Sequence, residues 1–77
     1  MRAEQISQIF GQVLREQRTA RGLSQEELAL AANVDRTFVS QMERGIRQPT
    51  VTTLWKLAHA LGIQPTTLVG RMEKLLR

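Results

Sequence analysis

Apolar residues recur at helical spacing through most of the chain. Ile6, Ile9, Phe10, Val13 and Leu14 are separated by one, three or four positions, which puts them on one stripe of a helix. The stripe predicts a first helix from about Gln5 to Arg21, with Gly22 in the left-handed position just past its end. Ser24 to Glu27 reads S-x-x-E, a capping box, and opens a second helix from Gln25 to Ala32. Asn33 tolerates the left-handed turn that must follow. Asp35 caps a third helix, Arg36 to Arg44, which Gly45 ends. Thr50 caps a fourth, Val51 to Leu61, with Gly62 as its terminator. Pro65 suits a first helical turn and opens a fifth helix that runs to about Leu76. No segment alternates with period two over any length, so the pattern predicts an all-α domain of five helices joined by short loops.

The third helix divides by face. At about 100° per residue, Phe38, Val39 and Met42 lie on one side, and Arg36, Thr37, Ser40, Gln41 and Arg44 share an arc of roughly 140° on the other. A solvated face normally pairs Glu with Lys one turn apart. This arc holds no acidic and no aliphatic residue, and every member can donate a hydrogen bond. Arginine can bridge guanine O6 and N7, glutamine can bridge adenine N6 and N7, and Ser or Thr can meet a base or a phosphate. Glu43 falls at the margin of the apolar side, where an unpaired carboxylate is costly. It either pairs with a cation, for which Arg18 is the candidate, or turns out to solvent.

Composition narrows the picture. A chain of 77 residues with 42% hydrophobic residues supports one domain, spanning residues 1–77, with a thin stability margin. The absence of cysteine excludes disulfides and thiolate metal sites, and the single histidine, His59, excludes a multi-histidine site. No apolar run approaches the roughly 20 residues of a membrane span, and MRAEQISQIF lacks the apolar core of a secretory signal. A cytoplasmic protein without cofactor is the simplest expectation. The formal charge is +4, from 11 basic and 7 acidic residues. Arginine supplies nine of the eleven, which favours bidentate recognition of phosphate and guanine over diffuse attraction. No nucleophile–base arrangement, glycine-rich phosphate loop or metal cluster is visible, so an enzyme is not expected.

Residues 25–44 form a helix, a short turn and a second helix, with Ala29 small where the two must approach and Leu28, Ala32, Val34, Val39 and Met42 at the apolar positions. This resembles the helix-turn-helix of the Cro and phage-repressor (XRE) family. The likeness extends through LREQRTARGLSQEELA (residues 14–29) and SQMERGIRQPTVTTLWKLAHALGI (residues 40–63), and covers roughly residues 10–70. It implies the compact five-helix fold of the lambda-repressor type. It also implies roles for particular residues. Arg36, Thr37, Gln41 and Ser40 match positions that meet bases or the groove edge. Gln25 matches a position that binds phosphate and braces helix three. Arg44 matches a backbone position, and Arg18 and Glu43 match an ion pair of the family's folds. There are two departures: Asn33 stands where many relatives have glycine, and Phe38 is large at a position often partly exposed. Phe38 either packs on the core or lies against the sugar-phosphate backbone, and partial burial is the favoured expectation. A chain of this length with DRTFVSQMER looks most like the controller proteins of restriction-modification systems.

The resemblance implies a third helix in the major groove and a second crossing above the backbone. Ser24 and Gln25, where helix two begins, are expected at phosphate. Arg47 and Gln48 in the next loop are expected at a flanking phosphate, the alternative for Arg47 being a solvated loop residue. One such helix reads only a few base pairs, so a homodimer on a palindromic operator is expected, with half-sites about 34 Å apart. Residues 51–76 would supply the dimer surface. Helix four points Leu54, Leu57, Ala58 and Leu61 inward, leaving Trp55 off the stripe. Helix five carries a broad band of Leu68, Val69, Met72, Leu75 and Leu76. The band either seals the monomer, as Leu68 is suited to do, or joins two copies. Its width beside Trp55 favours self-association, and Trp55, Leu68, Val69 and Met72 are the expected interface residues.

These expectations describe a sequence-specific transcriptional regulator, associated with the bacterial nucleoid, whose partners are double-stranded operator DNA and a second copy of itself. RNA polymerase would be a further partner if the protein activates, through the acidic pair Glu26 and Glu27. The alternative is an antitoxin-type or prophage regulator whose main role is to bind a partner protein. A restriction endonuclease or methyltransferase gene next door favours a controller; a toxin gene favours the alternative.

Overall fold

A computed structural model describes residues 2–76. Five helices follow in order: α1 (Ala3–Ala20), α2 (Gln25–Ala32), α3 (Arg36–Glu43), α4 (Val51–Leu61) and α5 (Pro65–Leu75). There is no strand among the described residues. Side-chain caps set three of the helix starts. Ser24 Oγ accepts from the Glu27 N–H at 3.0 Å while the Ser24 N–H donates to Glu27 Oε1 at 2.8 Å, so both halves of the capping box are made. Asp35 Oδ1 accepts from the Thr37 N–H at 2.8 Å, and Thr50 Oγ1 from the Thr53 N–H at 3.1 Å. Asn33 takes the left-handed conformation at φ 57°, ψ 49°, and closes α2.

Two ends differ from the sequence expectation. α1 begins at Ala3 instead of Gln5, because its first turn is anchored from outside: the Gln48 amide donates to Ala3 O at 3.1 Å and to Ser7 Oγ at 2.7 Å. α3 ends at Glu43, and Arg44 becomes its C-cap, with Gly45 at φ 76° turning the chain away.

α1 packs on α3 and α5, α2 packs on α3 and α4, and α4 packs on α5. Val13 and Leu14 of α1, Leu28 of α2, Val39 and Met42 of α3, Leu57 of α4 and Leu68 of α5 meet in one core with no measurable exposure. Complete burial of Leu68 corrects its assignment to a dimer surface. It is the fully buried residue of α5, part of the core itself, so it is not available to a second copy. Where α1 crosses α3 the backbones touch. A Cβ on Gly11 would stand 2.3 Å from Met42 O and 2.7 Å from Glu43 O, so only glycine fits. The end of α3 is therefore seated directly against α1.

Candidate nucleic-acid interface

The seating of α3 decides which of its side chains remain free. Val39 and Met42 are buried, and Phe38 is half-buried against the core. The Arg47 guanidinium lies over the Phe38 ring, 5.5 Å from its centre. Phe38 is thus flanked by a neighbouring cation as well as by the core, and Arg47, itself exposed, stands beside α3.

On the opposite side Arg36, Thr37 and Arg44 are exposed, and Ser40 and Gln41 are half-buried. Arg36, Thr37 and Ser40 line a shallow recess of about 150 Å³. Arg44 Nε makes a long 3.4 Å contact to Ser40 O, one turn back. The side-chain donors of Arg36, Thr37, Ser40 and Gln41 make no hydrogen bond to protein among the described residues. A helix packed on the core from behind therefore presents uncommitted donors in front.

The anchor behind that face is Glu43, whose side chain has no exposure. Arg18 Nε donates to Glu43 Oε2 at 2.6 Å and Arg18 Nη2 to Oε1 at 3.0 Å, a bidentate pair. Arg18 Nη1 also donates to Leu23 O at 2.7 Å. The hydrogen bonds to Glu43 raise the already high Arg18 pKa further, partly offset by burial, so its charge is permanent. Gln25 Nε2 adds a third bond to Glu43, at 3.1 Å to Oε1. The first residue of α2 is thereby tied to the last residue of α3. Arg15 of α1 stands nearby, with Nε 3.6 Å from the same oxygen. Nothing in the sequence singled out Arg15, because periodicity places it on the solvated side of α1.

The remaining expected contacts divide. Ser24 Oγ accepts from the Glu27 N–H but keeps its hydroxyl proton for an acceptor. Gln48 is occupied elsewhere: its amide nitrogen is engaged with Ala3 and Ser7 at the start of α1, which leaves its carbonyl oxygen, a poor partner for phosphate. Trp55 is 58% exposed and Val69 42%, with Met72 half-buried between the core and solvent. Val69 and Met72 join Ile6, Phe10, Val51 and Leu54 in an apolar groove of about 180 Å³. Among the described residues, no helix is long and apolar enough to cross a membrane.

Comparison with known proteins identifies the family and the fold. A family model described as helix-turn-helix matches residues 14–68. The chain is 38% identical over 65 residues to the control protein C.BamHI of Bacillus amyloliquefaciens, covering 83% of this chain and 80% of that one. Its fold is similar to the crystal structure of the restriction-modification controller protein C.AhdI from Aeromonas hydrophila. The TM-score is 0.79 at 50% identity, covering 80% of this chain and 94% of that one. It is also similar to the controller protein C.Esp1396I, solved as a tetramer in complex with its natural 35 base-pair operator. Here the TM-score is 0.82 at 28% identity, covering 90% and 91% of the two chains. The chain belongs to the helix-turn-helix family of XRE type.

Proposed function

We propose that this member of the helix-turn-helix family is a sequence-specific DNA-binding transcriptional regulator. It acts in the cytoplasm, on the nucleoid, as a homodimer on a palindromic operator, in the manner of the restriction-modification controller proteins it resembles. The observation that carries the reading is the outer face of α3. Arg36, Thr37, Ser40 and Gln41 offer uncommitted donors on a helix whose back is held in the core by Val39 and Met42. In the major groove Arg36 would take guanine O6 and N7, Gln41 adenine N6 and N7, and Thr37 and Ser40 would serve adjoining bases or the groove edge. Arg44, Arg47, Ser24 and Gln25 would meet the backbone and set the register.

The helix-turn-helix, residues 25–44, is the reading half of the domain, and residues 51–76 are the dimerising half. Trp55 and Val51 sit one turn apart on the outer side of α4, both more than half exposed, beside the groove that Val69 and Met72 line. An apolar surface of this kind on a small domain suits an isologous two-fold contact, in which the same patch meets itself. Trp55, Val69 and Met72 are its anchors, with Val51 replacing Leu68. The operator complex of C.Esp1396I supports assembly on DNA for this chain as well. Contact with RNA polymerase through α2 would rest on Glu26, since Glu27 is held in the capping box.

The reading is tested by selecting bound duplexes from random DNA with the purified protein. A palindromic motif should be enriched, with half-sites about one helical turn apart. Recovery of no motif, from protein that is folded, would overturn it.

A further inference from the structure

We propose that Arg15 of α1 is a phosphate contact of the DNA-binding surface, preset by the buried carboxylate of Glu43. The inference rests on the DNA-binding reading above. Glu43 carries one negative charge, and Arg18 already meets it through two hydrogen bonds, with Gln25 adding a third. Arg15 Nε stands 3.6 Å from Oε1, past hydrogen-bonding distance but inside strong coulombic range. Two guanidinium groups therefore face one carboxylate, and the surplus positive charge falls on the more exposed of them. The Arg15 side chain is 63% exposed, against 12% for Arg18. Its guanidinium donates no hydrogen bond to protein among the described residues, so its donors are free for an anion.

Position completes the case. Arg15 and Gln25 share one oxygen of Glu43, which sets the arginine beside the first residue of α2. Exposed Arg44 follows Glu43 directly in the chain. Donors from α1 and from the start of α2 thus converge on a single buried acid, one residue before exposed Arg44. Attraction to Glu43 limits where the long Arg15 side chain can wander without satisfying its charge, so less freedom is lost when phosphate arrives. A solvated arginine with no such task would lend only diffuse charge, and the two differ in what salt does to binding.

The experiment titrates a fluorescent random-sequence duplex with wild-type protein and with Arg15→Ala, Arg15→Gln and Arg15→Lys, over a series of salt concentrations. Arg71→Ala, on exposed α5, is the control. For one lost phosphate contact the slope of log K against log salt should fall in magnitude by about 0.9 in Arg15→Ala and Arg15→Gln. Arg15→Lys and Arg71→Ala should keep the wild-type slope, and melting temperatures should match throughout. A wild-type slope in both neutral variants, or an equal drop in Arg71→Ala, overturns the role of Arg15 and leaves DNA binding standing. Failure of the wild-type protein to bind the duplex at low salt overturns both.

Discussion

Arg18 and Glu43 lock α1 to the end of α3 through a bidentate pair, Nε to Oε2 at 2.6 Å and Nη2 to Oε1 at 3.0 Å. The acid is wholly buried and the base nearly so. Removing one partner strands a buried charge, which costs about 3–5 kcal/mol. Arg18→Met should therefore lower the urea midpoint severely, and pairing it with Glu43→Leu should recover much of the loss. A single variant as stable as the wild type would show that the pair does not hold α3.

Gly11 is the other point where α1 meets α3. Adding one methyl places it 2.3 Å from a carbonyl oxygen of the backbone, which has little freedom to give way. Gly11→Ala should cost about 1–3 kcal/mol or more through forced displacement, despite alanine being the better helix former. Calorimetry on the variant decides this; a raised melting temperature would mean that the helices do not touch there.

Arg36 and Arg44 should separate when titrated on selected and on random DNA. Arg36→Ala should cost about 1–3 kcal/mol on the selected site and relax base preference at one position. Arg44→Ala should weaken both DNAs alike. Equal losses for both variants on both DNAs would remove the distinction between reading and positioning.

Trp55→Ala should raise the dimer dissociation constant, by about 2 kcal/mol if the indole is an anchor, and leave the monomer folded because the ring is 58% exposed. Leu68→Ala should do the reverse: about 2–5 kcal/mol from the monomer core, with no interface contact removed. Sedimentation equilibrium and urea denaturation on both variants separate the two effects. An unchanged dimer in Trp55→Ala would rule out this surface.

Glu27 gives the fold a pH dependence. The backbone N–H of Ser24, and then its side chain, hold the Glu27 carboxyl below its ordinary value of 4.5. A folded-state pKa below the unfolded one means stability that is present above the unfolded value and is lost as pH falls through the folded one. Glu27→Gln keeps an acceptor but cannot ionise. The wild type should be the more stable of the two at neutral pH, and its advantage should vanish on acidification below 4.5. A constant difference across that range would assign the effect to something other than the carboxylate charge.

The sequence by itself determined the helices, because their signals are local. Ser24 and Glu27, Asp35, Thr50 and Asn33 act within one turn of their own positions, and the boundaries they predict hold to within a residue or two. The same locality made the two faces of α3 legible, since a period of 3.6 residues alone sorts Val39 and Met42 from Arg36, Ser40 and Arg44. Tertiary structure decided what periodicity cannot carry. Leu68 and Val69 are neighbours in one apolar band, yet one is sealed under α1 and α4 and the other half faces solvent. Gln48 reads as a loop residue near DNA, yet its amide holds the first turn of α1. Gly11 looks like a weak point in a helix and is the place where two backbones meet. Arg15 looks solvated and lies beside a buried acid 28 positions further along the chain. Each of these depends on where a different helix comes to rest, and that is set by the fit of all five around one core.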